Sequence, residues 1–145
     1  MKKVYLHKIS TVVPENFYTQ DFAINYQHNL ICDTNKKKDF ITKIYKNSAI
    51  NKRHTVIGDY GKEPEDFTFY PKNEALKPEP DTKTRNQLFI RESKRLSEKA
   101  VLKLLELLPG NIKGRITHLI TVSCTGFSAP GFDLHLQKNL EMNED

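Results

Sequence analysis

Residues Ile116-Thr117-His118-Leu119-Ile120-Thr121-Val122 form an apolar run that breaks off in Ser123-Cys124-Thr125-Gly126 and then in Ala129-Pro130-Gly131. The run shows no clean alternation of apolar and polar residues. That pattern suits a strand covered on both faces, as in a parallel sheet flanked by helices. Gly126, Pro130 and Gly131 stop the strand and allow a sharp reversal. Open parallel sheets bind ligands beyond the carboxyl ends of their strands, so Ser123, Cys124 and Thr125 occupy a candidate site.

The rest of the chain is read around that strand. Residues 3–12 carry β-formers and end at Pro14, with Glu15-Asn16 as a turn, which predicts a first strand parallel to 116–123. Thr19 offers an N-cap for a helix bearing Phe22, Ala23, Tyr26 and Leu30. Asp33 or Thr34 caps a second helix, whose stripe of Phe40, Ile41, Ile44 and Tyr45 is expected to face inward while its lysines face water. From about 58 to 84 the chain is rich in Gly and Pro and poor in aliphatics, which predicts a long surface loop. Thr84-Arg85-Asn86-Gln87 reads as a capping box for the longest helix, over 86–108, with Phe89, Leu96, Ala100, Leu104 and Leu108 on one stripe. A last helix over 132–141 places Leu134, Leu136 and Leu140 inward. A helix feeding directly into a parallel strand is half of a βαβ unit, so the fold class is α/β.

With 37% hydrophobic and 28% charged residues, the composition is that of one ordinary globular domain rather than of a disordered or membrane chain. No signal-type apolar segment opens the chain, so the expected location is the cytoplasm. Cys32 and Cys124 lack disulfide or zinc spacing, so no metal site is expected. The net charge of +5 is uneven: residues 1–60 hold ten Lys/Arg against five Asp/Glu, and the remainder is balanced. That excess gathers around the second helix and its exit, at Lys36, Lys37, Lys38, Lys43, Lys46, Lys52 and Arg53. It predicts either an anionic partner or a solvated basic face.

Thr117-His118-Leu119-Ile120, Ser123-Cys124-Thr125-Gly126 and Ala129-Pro130-Gly131 together resemble the cavity-lining segment of type III polyketide synthases, the chalcone synthase-like condensing enzymes, and especially of their bacterial branch. Ser48-Ala49-Ile50-Asn51-Lys52-Arg53-His54 is similar to the family's Ser-x-Ile-x-x-Arg-Tyr segment, with His54 replacing the usual aromatic. The resemblance covers most of residues 1–145 and implies a partial thiolase-like fold, helices packed on a mainly parallel sheet, truncated before the catalytic cysteine. It implies that Ser123, Cys124 and Thr125 line the substrate cavity and that Ala129 crosses the interface of a homodimer. It also implies that Lys43, Lys46 and Arg53 hold the phosphates of coenzyme A, although Phe40 and Asn47 stand where the family usually has lysines.

The implied activity is condensation of an acyl-coenzyme A starter with malonyl-coenzyme A, with coenzyme A thioesters as substrates and no permanently bound cofactor. The family's catalytic cysteine, histidine and asparagine would lie beyond Asp145, in the remainder of the polypeptide, so this stretch alone is expected to be inactive. Cys124 with His118 is no nucleophile pair, because six residues of strand separate them by about 20 Å; His135 on the next helix is the weaker alternative. Two rival readings stay open: a basic module binding nucleic acid or another polyanion, and a fragment of a ketosynthase III of the fatty-acid type. Nucleic acid is disfavoured because the second helix's aromatics are assigned to its inner stripe.

Overall fold

The computed structural model describes residues 3–110 and 112–142. The chain divides into two compact units, Val13–Pro80 and Met1–Val12 with Asp81–Asp145.

The first unit is built on a short antiparallel ribbon. Strand β1, Asn16–Thr19, pairs with β2, Lys52–Thr55, in a register that sets Asn16 opposite Thr55 and Thr19 opposite Lys52. Helix α1, Gln20–Ile31, starts where β1 stops, and Thr19 is its cap, its hydroxyl accepting from the Phe22 N–H at 3.2 Å. Helix α2, Asn35–Lys46, is capped by Thr34, which accepts from the Lys37 N–H, while Asp33 pairs with the Lys37 ammonium at 2.9 Å. The Thr19 cap agrees with the expectation, and of the two candidates for α2, Asp33 and Thr34, it is Thr34 that caps, because its hydroxyl lies three residues before the Lys37 N–H. The two helices are tied by His28, whose Nε2 donates to the Lys38 carbonyl at 3.0 Å and lies equally close to the Thr42 hydroxyl.

Two expectations fail here. The pair Glu15-Asn16 predicts a turn, yet Asn16 opens β1, because Phe17 and Tyr18 find in β2 a partner with complementary backbone groups. The α2 stripe was expected to be buried. Ile41 and Tyr45 are half-buried, but Phe40 is 62% and Ile44 48% exposed, since only one side of the helix meets α1.

Residues 58–80 carry one 3-10 turn, Pro64–Asp66, and are held from within. Asp59 is 1% exposed, and its two carboxylate oxygens accept the Thr68 N–H and hydroxyl, the Phe69 N–H and the Tyr70 N–H at 2.8 to 2.9 Å. Burial pushes this carboxyl up, but the three backbone donors and the hydroxyl outweigh it and hold it below its ordinary value of 3.8. Phe67 and Leu76 are buried within the same segment. Asn73 fixes the next bend, its amide donating to the Lys77 carbonyl and accepting from the Lys77 N–H.

In the second unit, helix α3, Thr82–Glu106, packs against α4, Phe132–Asn139. Leu136 and Leu140, each 2% exposed, and Met142 form its core, with Val101, Ile116 and Phe132 around them. Leu136 and Leu140 are inward as predicted. The α3 cap differs from the expectation: Asp81, not Thr84, caps the helix, its carboxylate accepting from the Thr84 N–H at 2.7 Å, so the helix begins at Thr82.

The α/β class holds, but the sheet does not take the expected form. Among the described residues the sheet has two antiparallel strands, and neither 3–12 nor 116–123 is a strand. Ile120 and Val122 are 84% and 89% exposed, and Val4 is 96% exposed. A strand is defined by hydrogen bonds to a neighbour. Among the described residues no strand pairs with either segment, so β-propensity alone leaves both irregular.

Candidate functional site

The predicted site residues divide between the two units. Lys43, Lys46 and Arg53 belong to the first; Ser123, Cys124, Thr125 and Ala129 belong to the second.

Lys43 and Lys46 lie three residues apart in the last turns of α2, where cations also complement the carbonyl end of the helix dipole. Both are exposed, and among the described residues neither ammonium is paired. Arg53 behaves differently from the two lysines. It is half-buried on β2, its Nε donates to the Gln20 Oε1 at 3.0 Å, and its guanidinium lies 4.4 Å from the centre of the Tyr45 ring. Gln20 is itself fixed, its amide donating to the Tyr45 carbonyl and to the Ser48 hydroxyl. Arg53 is therefore a preorganised cation joining β2, α1 and α2, rather than a mobile surface charge like the lysines.

Beside it lies a cavity of about 270 Å3, lined among others by Tyr18, Phe22, Tyr26, Tyr45, Arg53 and Tyr60. Its rings form a continuous cluster: Tyr18 stacks on Phe22 and Phe22 on Tyr26, and Tyr60 meets Tyr18 and Tyr26 edge-on, with centroids 5.0 to 5.8 Å apart. Burial first, and then the hydrogen bond to the Tyr70 hydroxyl, pushes the Tyr60 phenol far above its ordinary value. Burial likewise raises Tyr18 and Tyr26. Neutral phenols and one fixed guanidinium can hold a planar or anionic group. They cannot act as bases near neutral pH, because a raised phenol keeps its proton. The sequence reading missed this pocket, since its walls come from residues far apart in the chain.

In the second unit, Ser123, Cys124 and Thr125 are brought together in an exposed loop rather than at the mouth of a covered strand. The Ser123 hydroxyl donates to the Thr125 carbonyl at 2.7 Å, closing a local turn. Gly126 follows with φ +68°, a conformation that favours glycine, and its backbone rests on the Phe89 ring so closely that a Cβ would overlap the ring. Phe127 is gripped by Asn86 of α3. Its N–H donates to the Asn86 Oδ1 at 2.9 Å, and its carbonyl accepts from the Asn86 Nδ2 at 2.8 Å. Ala129, exposed, precedes Pro130 in the next bend.

No hydrogen bond joins a histidine to Cys124 among the described residues. His118 Nδ1 pairs with the Thr117 hydroxyl, and His135 Nε2 with the Glu98 carboxylate at 3.2 Å. Both candidate bases are thus occupied elsewhere. The same residues contain no group of three or more His, Cys, Asp or Glu able to hold a metal ion. No helix among them is long and apolar enough to cross a membrane.

The family profile described as chalcone and stilbene synthases, N-terminal domain, matches residues 2–145. The chain belongs to the chalcone and stilbene synthase family. Among solved structures, this synthase domain is similar to PKS-I from the brown algae Ectocarpus siliculosus, at a TM-score of 0.72 and 23% sequence identity. The superposition covers 96% of this chain and 38% of that one, so the domain spans well under half the length of its structural relative. At that identity the likeness shows the fold, which is a partial thiolase-like α/β fold. No curated protein matches the chain.

Proposed function

We propose that this chalcone and stilbene synthase N-terminal domain is the front portion of a homodimeric, cytoplasmic acyltransferase. That enzyme loads an acyl group from a coenzyme A thioester and extends it by decarboxylative condensation with malonyl-coenzyme A. The observation that carries this reading is the family match over residues 2–145. Such chemistry needs a thiolate to carry the acyl chain and hydrogen-bond donors to stabilise the enolate left by loss of carbon dioxide. In this reading both are supplied by the remainder of the polypeptide after Asp145.

The front portion supplies binding. Lys43 and Lys46 meet the coenzyme's phosphates as exposed point charges, and Arg53, fixed on Tyr45, adds a directed guanidinium. Ser123, Cys124 and Thr125 form part of the wall of the acyl cavity, and Ala129 reaches the partner subunit's cavity. Cys124 does not carry acyl groups, because a nucleophilic cysteine needs an adjacent base and no histidine is hydrogen-bonded to it among the described residues.

The test uses the full-length polypeptide with an acyl-coenzyme A and malonyl-coenzyme A, and mass spectrometry of products and protein. Product from the full-length enzyme, with neither product nor adduct from residues 1–145 alone, is expected. Replacing Lys43 and Lys46 by Ala should raise the KM for the acyl-coenzyme A about fivefold or more, the worth of about one exposed charge contact. An unchanged KM would return these lysines to the solvated face. A stoichiometric acyl adduct on Cys124, lost in Cys124→Ala, would make Cys124 the nucleophile and overturn the assignment.

A further inference from the structure

The contact between Asn86 and Phe127 joins residues 41 positions apart, and it is the long-range hydrogen bonding that holds the 123–127 loop among the described residues. Both main-chain groups of Phe127 are taken by one side-chain amide. This is the pairing that a residue on an adjacent strand would give, exchanging both an N–H and a carbonyl bond with its opposite number. The chemistry restricts which side chain can do it. A carboxylate accepts but cannot donate to the Phe127 carbonyl, and an ammonium donates but cannot accept. Only a planar amide presents both at that spacing, and the two bonds together fix which way round the amide sits.

The grip is reinforced by Phe89, one helical turn after Asn86 on the same face of α3, whose ring supports the left-handed Gly126. Two residues of chain reach at most about 7 Å, so anchoring Phe127 confines Thr125 closely, and the Ser123–Thr125 turn then carries that constraint back across Cys124.

We propose that Asn86 is a positioning residue for the acyl cavity: by pairing with the Phe127 backbone it sets where Cys124 and Thr125 stand, and so which starters and chain lengths the enzyme favours. The proposal rests on reading Ser123–Thr125 as cavity wall. Asn86 touches no substrate itself and acts through the loop.

The experiment takes the full-length enzyme and compares Asn86→Asp, Asn86→Ala and Asn73→Ala. Asn73→Ala removes the same kind of two-bond amide clamp from the 73–77 bend, which makes no hydrogen bond to the 123–127 loop among the described residues and belongs to the other unit. It therefore reports what losing such a clamp does to the protein in general. The readouts are the KM for two starters of different length, the ratio of shorter to longer products, and thermal stability. Losing one or both bonds at Phe127 is expected to change the product ratio or the relative starter KM about fivefold to thirtyfold in both Asn86 variants. Asn73→Ala should lower stability comparably and leave those ratios within twofold of wild type.

If the wild-type enzyme is active and the Asn86 variants match Asn73→Ala in their ratios, the clamp is only structural and the proposal falls alone. A wild-type enzyme that makes no product from coenzyme A thioesters sinks the functional reading, and this proposal with it. Should Asn86→Ala fail to fold, Asn86→Asp decides the matter. It preserves size and the Phe127 N–H bond, and sets a charged carboxylate oxygen against the Phe127 carbonyl.

Discussion

Substituting Asp59 by Asn tests the reasoning about the 58–80 segment with a change of a single atom type. The carboxylate accepts three backbone N–H groups and one hydroxyl, and is almost wholly excluded from water. An asparagine has one oxygen, so its NH2 group must face two former donors. The favourable orientation turns the NH2 toward Thr68, whose hydroxyl can rotate to accept, and keeps the oxygen for Phe69 and Tyr70. One N–H then loses its partner, and two charge-assisted bonds fall to neutral strength, for a loss of about 2–4 kcal/mol. Asp59→Ala abandons every acceptor, but water reaches the exposed Thr68 and limits the loss to about 3–6 kcal/mol. Against a total stability of about 5–15 kcal/mol, either is a large fraction.

Urea unfolding followed by circular dichroism gives the difference, and hydrogen exchange localises it: in Asp59→Asn the Thr68 amide should lose protection more than those of Phe69 and Tyr70. The pH dependence supplies an independent check of sign. The folded-state pKa of Asp59 is depressed below 3.8, so its stabilisation is fully present above the unfolded value and is lost as pH falls through the folded one. The gap between wild type and Asp59→Asn should therefore be constant near neutral pH and narrow only in strong acid, below 3.8. A difference under about 0.5 kcal/mol at pH 7, the range of ordinary surface changes, would show that this carboxylate does not organise the segment.

Gly126→Ala and Gly110→Ala form a matched pair, since both glycines have positive φ (+68° and +67°) but a Cβ meets the Phe89 ring only at Gly126 and open space at Gly110 among the described residues. Gly110→Ala should cost about 1–2 kcal/mol from the left-handed backbone alone, and Gly126→Ala measurably more by denaturant midpoint; equal losses would contradict the Phe89 contact. Leu136→Ala removes the centre of the second unit's core and should cost about 2–5 kcal/mol by thermal or urea unfolding, with a loss under 1 kcal/mol counting against that core.

What the sequence determined by itself was local or repeated in a pattern. Thr19 caps its helix, and Asp33 or Thr34 the next, because a cap needs only a donor three residues on; the fold chose Thr34. Leu136 and Leu140 turn inward because apolar residues four apart share a helix face. The Ser123-to-Gly131 motif identified the family, since a motif is a string of neighbours.

The tertiary structure decided whatever depends on a distant partner. Asn16–Thr19 is a strand because Lys52–Thr55 pairs with it, whereas the stronger β-formers at 3–12 and 116–123 meet no strand among the described residues. Phe40 faces water because α1 covers only one side of α2, a matter of packing that the stripe cannot encode. Arg53 is one cation of a cluster in the sequence, and only the fold gives it Gln20 and Tyr45 to hold it. Asn86 read as part of a capping box because its partner lies 41 residues away, and nothing in the neighbouring residues announces a side-chain amide that takes the place of a strand. Hydrogen-bond partners and solvent cover are properties of the folded neighbourhood, and a sequence states them only when that neighbourhood is also close along the chain.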